Sequence, residues 1–227
     1  MLLFHGDNQI ASRKSLLSHI DSIRDQFSRV LFYPASELNL PELHSILGAV
    51  DLFNQQNVSV IEELHSLPVS TKKSALISIL SQNTAAKHVI LWEKKVLTAK
   101  QLSTLGDIQA QLFKTSRIVY RWLEAIVPNN NVVSTLQLQN DAIQQDGAEH
   151  CFALLAIQVR QLLLAKTQGT VSGPSFAQAK IRSQAQKFSL QQLIDLHQQL
   201  LAIDVQQKNG KAPLPLKERL DQLIIEL

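Results

Sequence analysis

The stretch "LLFHGDNQIASRKSLL", residues 2–17, decides the fold. A short apolar run is followed by a glycine, then polar residues, and then leucines that recur at helical spacing. That order predicts a buried strand, a tight turn and a helix, which is the opening unit of a parallel α/β sheet. The same grammar repeats downstream. "VLFY" (30–33), "VSVI" (58–61) and "HVILW" (88–92) are rich in β-branched or aromatic residues and read as buried parallel strands. Helical patterns separate them. Leu16, Leu17, Ile20, Ile23 and Phe27 share one face, as do Leu43, Ile46, Leu47 and Val50 behind Pro41. Ser70 caps a third helix through Leu76, Ile77 and Leu80.

After "VPNNN" (127–131) no strand-like run appears. Phe152, Leu155, Val159, Leu162 and Leu163 form one stripe, and "SGP" (172–174) opens a further helix. Ser189 and Gln192 make a capping box for a helix seamed by Leu190, Leu193, Ile194, Leu200 and Leu201. Asn209-Gly210 stops it, and Leu216, Leu220, Leu223, Ile224 and Leu227 mark the last helix. The expected organisation is an α/β domain over 1–128, followed by an all-helical domain of five helices over 132–227. The length of 227 residues suits two such domains.

Composition narrows the function classes. At 45% hydrophobic and 18% charged, the chain has the makeup of an ordinary globular protein. One cysteine, Cys151, excludes an internal disulfide and a thiolate metal cluster, and it reads as buried rather than nucleophilic. The start "MLLFHGD" turns polar too soon for a signal peptide, and no run approaches the roughly 18 apolar residues of a membrane helix. A cytoplasmic protein without a membrane partner is the expectation. Residues 71–121 carry 9 Lys/Arg against 2 Asp/Glu, with Lys72, Lys73, Lys94, Lys95 and Lys100 among them. Such a segment suits phosphates, an acidic partner or simply a solvated face.

Motifs for chemistry are missing at each place where the fold would put them. A phosphate loop has the form GxxxxGK[ST]. Counted from Gly6, its second glycine falls on Ala11 and its lysine on Ser12, while Lys14 arrives two residues late. The run "HVILWEKK" offers Glu93 and two lysines where an Asp would hold magnesium. The seven histidines have no metal-ligand spacing, so neither a metal nor a cofactor is indicated. Glu62-Glu63 follows a strand, where α/β enzymes keep catalytic acids. With no partner motif they read as a solvated strand end.

One pair stands apart, in "AVDLFNQQNVSVIEEL" (49–64). Continuing the helix from Val50 places Leu52 about 200° away from the buried stripe, at roughly 100° per residue. Phe53 falls closer to the stripe, and both an exposed role and a core role stay open for it.

The order of these features resembles the delta subunit of bacterial DNA polymerase III, a clamp-loader family. The resemblance is sharpest in "KIRSQAQKFSLQQLIDLHQQLLAIDVQQKNGKAPLPLKERLDQLIIEL" (180–227), where "AIDVQQKNG" matches the helix end of the family and a leucine-rich helix closes the chain. "AEHCFALLAIQVRQLLLAK" (148–166) is similar to the family's preceding collar helix, with Gln158, Arg160, Leu162 and Leu163 at its core. The first strand, glycine and helix are similar too, and the family also lacks a working phosphate loop there.

The resemblance implies an AAA+-type α/β domain, degenerate at its nucleotide site, and a helical collar. It implies a non-catalytic subunit of a DNA-directed DNA polymerase holoenzyme that opens the sliding clamp for DNA replication. Partners would be the clamp, the loader ATPase subunits through the collar, and primer-template DNA. The clamp-binding wedge would be Leu52-Phe53. Lys72, Lys73, Lys94, Lys95 and Lys100 are the candidate DNA-contacting residues. The family's small helical lid has no room here, because "FKTSRIVYRWLEAIVPNNN" runs from the first domain almost directly into the collar helices. A scaffold subunit of another AAA+ assembly, or a divergent nucleotide-binding protein, are the alternatives.

Overall fold

The computed structural model describes residues 1–27, 29–48 and 57–227. It divides into two compact units, Met1–Thr115 and Ser116–Leu227.

The first unit is α/β. Its strands are β1 (Leu2–His5), β2 (Val30–Pro34), β3 (Val58–Glu62), β4 (Val89–Glu93) and β5 (Gln109–Leu112). They form one all-parallel sheet in the order β2-β3-β4-β1-β5. Register pairs Leu3 with Leu91, Phe4 with Trp92, and Val60 with Ile90. Residues two apart on a strand share a face, which sorts the core into two layers. Phe4, Val58, Val60, Ile90 and Trp92 pack against Leu16 and Ile20 of α1 (Gln9–Ile23). Leu3, Ile61, Val89 and Leu91 pack against α2 (Leu40–Gly48) and α3 (Thr71–Gln82) through Leu43, Ile46, Leu76 and Leu80.

Topology explains the sorting. From β1 the chain crosses to the far edge at β2, then steps back through β3 and β4 and over β1 to β5. Right-handed crossovers put helices of opposite travel on opposite faces. Among the described residues of this unit, α1 is therefore the one α-helix on its side. The short helix α4 (Ala99–Ser103), held by a Thr98–Gln101 capping box, leads into β5. No strand-like run marks β5 in the sequence. Its "QAQL" has no β-branched residue and every position is exposed, so its extended state comes from the ladder to β1. Leu17, expected on the buried stripe of α1, is 46% exposed. The stripe proper runs Ser12, Leu16, Ile20.

The second unit is all-helical: α5 (Arg117–Ala125), α6 (Val132–Asp146), α7 (Ala148–Thr167), α8 (Ser175–Gln186), α9 (Leu190–Lys208) and α10 (Leu216–Ile225). The five helices expected after residue 131 are there, and α5 joins them. Val119, Trp122, Leu123 and Ile126 are buried with Leu155, Val159, Phe188, Leu193, Leu196 and Leu220, so the division between units falls before α5 instead of within 128–132. An amphipathic helix goes where its apolar stripe finds partners, and that stripe fits the bundle.

Helix α7 is the one described helix with the length and apolar composition of a membrane span, yet Cys151, Leu155, Val159 and Leu162 on it are core of this unit. The capping box Ser189–Gln192 is present. Gly210, at φ +64°, follows α9, and the Lys211 amide returns to the Gln206 carbonyl. Two seam residues expected to be buried, Leu190 and Leu201, are largely exposed, and Leu193, Leu196, Leu200 and Ile203 make the seam instead.

Polar groups close the ends of α5. Asp146 accepts from the Ser116 amide at the start of the helix. The buried Gln184 donates to the Leu123 and Ile126 carbonyls at its other end, at 2.8 and 2.9 Å. Gln184→Ala should remove a bond from both carbonyls, leave Leu123 with only the 3.4 Å bond from the Ile126 amide, and cost about 2 kcal/mol. Cys151 reports the effect. Its thiol is fully buried, and burial, then Asp146 and Glu149, push its pKa up to about 12. Labelling by a thiol reagent should therefore follow opening of the unit, and Gln184→Ala should speed it about 30-fold. An unchanged labelling rate would remove Gln184 from this role.

Candidate functional site

In open α/β sheets, ligands bind beyond the carboxyl ends of the strands, where neighbouring connections leave in opposite directions. Here that point lies between β1 and β4. The segments around it are 6–8 after β1, 94–97 after β4 and 63–67 after β3.

The turn after β1 is closed on itself. Gly6 has φ +152°, and a Cβ there would stand 1.8 Å from the Phe113 carbonyl oxygen. That carbonyl accepts from the Asn8 amide at 3.0 Å, and the Phe113 amide donates back to His5 at 2.8 Å. Asp7 accepts from the Thr115 amide at 2.7 Å. Asn8 is the N-cap of α1, and its side chain takes the Ala11 amide at 3.0 Å. The helix thus begins only three residues after the strand. A phosphate cradle needs a longer glycine-bearing loop whose amides point at the ligand. Ala11 and Ser12 lie inside the helix. Ser12 is fully buried, accepting from Trp92 Nε1 at 3.2 Å and donating to the Gln9 carbonyl. Lys14 is exposed on α1.

Beyond β3 and β4 lies a dense polar cluster. Glu63 adopts a left-handed conformation (φ 60°, ψ 32°), which a non-glycine residue holds at a cost of about 1 kcal/mol or more. Its amide still donates to the Trp92 carbonyl. The bend turns residues 64–66 into a 3-10 turn and brings the His65 amide to Glu93 Oε1 at 2.6 Å, with His65 Nδ1 3.2 Å from the same oxygen. Both residues are almost completely buried. Lys73 Nζ and Lys95 Nζ both donate to the His65 carbonyl, at 2.9 and 2.8 Å, and Lys73 also reaches the Leu67 carbonyl. Burial lowers the Lys73 pKa, the neighbouring Lys95 ammonium lowers it further, and Glu93 opposes both. His5, level with Glu93 in the register, accepts from the Leu97 amide through Nδ1 at 3.1 Å.

The acids after β3 are ion-paired rather than simply solvated. Glu62 bonds Arg13, whose guanidinium lies 4.4 Å from the centroid of the Trp92 ring, and Glu63 pairs with Lys94 at 2.6 Å. The cluster holds three strand ends together with groups that a ligand would otherwise use. Among the described residues, no three His, Cys, Asp or Glu side chains gather as metal ligands.

Of the basic residues singled out by sequence, the fold joins Lys73 and Lys95 at one carbonyl. Lys94 adjoins them, and Lys72 donates to the Ser36 carbonyl at 3.0 Å. Lys100 lies exposed on α4 and is not part of the cluster. Leu52 and Phe53 fall outside the described residues, between α2 and β3. Sequence reasoning passed over His5, Arg13, His65 and Glu93. A signal existed for one of them, since a carboxylate that ends a fully apolar parallel strand must find a partner in the fold.

No family model and no curated protein matches the sequence. Among solved structures, the chain is similar to the Bacillus subtilis DNA clamp loader delta protein, at 14% identity and a TM-score of 0.44, over 99% of this chain and 94% of that one.

The site makes an acid-sensitivity prediction. Burial lowers the His5 pKa below its ordinary value of 6.5, against an opposing pull from Glu93. A lowered folded-state value means that the unfolded chain binds the proton more readily. The contribution of His5 to stability is then complete above about pH 6.5 and is lost as pH falls from there through the lowered value. His5→Asn keeps an acceptor for the Leu97 amide and does not titrate. It should flatten the urea midpoint of the α/β unit between pH 7 and pH 5, and an equally steep decline in the variant would contradict this assignment.

Proposed function

We propose that this chain is a non-catalytic clamp-loader subunit of the delta type. The observation that carries the reading is the closed turn after β1. A parallel α/β unit with the strand order and switch point of a ligand-binding domain has its first turn sealed by Gly6, Asn8 and Phe113, and an all-helical unit follows it. A subunit that relies on neighbouring ATPases has no need of its own phosphate cradle. The sequence resemblance of the helical half to the collar of that family supplies the rest.

In this reading the α/β domain presents Leu52-Phe53 to the sliding clamp, and the helical domain joins the loader ATPase subunits in the cytoplasm. Opening works by differential affinity. The wedge favours the open clamp over the closed one, and it shifts that equilibrium only by the difference in binding. Primer-template DNA is the third partner. For Lys73 and Lys95 to serve it, each would have to leave the His65 carbonyl. Lys72 would likewise have to leave the Ser36 carbonyl, so Lys100 and the surface-paired Lys94 are the better-placed contacts.

Replacing both Leu52 and Phe53 by Ala should weaken clamp binding by at least about 2 kcal/mol, the usual threshold for an interface hot spot. Stability should change little if both side chains point outward. Calorimetry with the clamp and thermal melts of the two single variants separate the readings. A core Phe53 gives a lowered melting temperature with clamp affinity intact, and full affinity in the folded double variant sinks the wedge assignment.

A further inference from the structure

We infer that the outer face of α1 is a docking groove for an acidic amphipathic helix of a partner protein, a role independent of the clamp. Ile10 and Leu17, 40% and 46% exposed, stand two turns apart on one face of the helix. Between them lie Arg13 and Lys14, and Asp21 follows one turn beyond Leu17. These residues, with Trp92 at the floor, line an open groove of about 630 Å³. Phe32 of the edge strand β2, 45% exposed, extends the apolar surface past Arg13, whose guanidinium lies 5.8 Å from the centroid of its ring.

The groove has a fixed cation. Arg13 is held by Glu62 and by the face of Trp92, so its side-chain entropy is already spent, and a guanidinium keeps donors beyond the one given to Glu62. Lys14 has no ion-pair partner among the described residues. Apolar anchors seven residues apart, with two cations between them, complement a helix that carries two apolar residues at that spacing and carboxylates at the intervening positions.

Charge selects among occupants. In a second copy of this chain, antiparallel packing that sets Ile10 on Leu17 also sets Arg13 against Lys14, so like charges meet at the centre of the contact. Nucleic acid would leave the two apolar anchors without a partner.

The test uses the full chain and two labelled helical peptides. Both peptides carry two leucines seven residues apart. One has two glutamates between them, the other two lysines. By fluorescence anisotropy, the glutamate peptide should bind at least about tenfold more tightly than the lysine peptide, and less tightly as salt is raised. Lys14→Glu, at an exposed position outside the core, should erase or reverse that preference. Leu17→Ala should weaken the glutamate peptide. Equal binding of the two peptides, or an unchanged preference in Lys14→Glu, would overturn the inference. So would displacement of the peptide by duplex DNA, or a dimer of the chain that Leu17→Ala dissolves in sedimentation equilibrium.

Discussion

Much of the α/β unit depends on Gly6 having no side chain. β1 is buried between β4 and β5, and at its end the chain must turn sharply toward α1 while β5 ends alongside. The backbone passes so close to Phe113 that any Cβ would overlap its carbonyl. That approach lets Phe113 bond His5 and Asn8 at once, which ties the edge strand β5 to the sheet and sets where α1 begins. With the helix start fixed there, Asn8 becomes its cap, Ser12 is buried under Trp92, and Arg13 reaches Glu62. The closed turn and the ordered face of α1 share this one cause.

The polar groups beyond β3 and β4 continue the same pattern. A parallel sheet collects its strand ends on one side, and in this protein those ends are bound to one another. Glu93 holds the His65 backbone, Lys73 and Lys95 hold its carbonyl, and His5 holds Leu97. Each such group removed from water needs a partner, and Glu93 Oε1, the His65 carbonyl and the Leu97 amide find theirs within the chain, while Glu93 Oε2 and His65 Nε2 are buried without a hydrogen bond. In the helical unit, Gln184 and Asp146 close the two ends of α5 around the buried Trp122.

The elements that the sequence revealed are those with strong local signals. The four strands "LLF", "VLFY", "VSVI" and "HVILW" have β-branched or aromatic runs, and the Ser70 and Ser189 caps have their hydroxyls where a helix start needs them. β5 escaped because its strand state is imposed by pairing with β1 and by nothing in "QAQL" itself. The unit to which α5 belongs escaped because an apolar stripe shows that a helix packs, without showing against what. Leu17, Leu190 and Leu201 mark a related gap, since a leucine at the margin of a stripe is compatible with either side of the surface. Of the site, the failed phosphate loop was legible from the spacing of Gly6, Ala11, Ser12 and Lys14. The His65–Glu93 cluster was not, because its members lie far apart in sequence and converge only when β3 and β4 pair.

The central claim is that the place where this fold would bind a nucleotide is occupied by the protein's own backbone and side chains. Isothermal calorimetry of the purified full chain with magnesium-ATP tests it most directly. The account predicts no saturable heat at physiological nucleotide concentrations, because the Gly6–Asn8 turn packs against Phe113, the Asn8 and Ala11 amides are taken by the Phe113 carbonyl and the Asn8 side chain, and Lys14 stands on the outside of α1. Stoichiometric binding with micromolar affinity would contradict it.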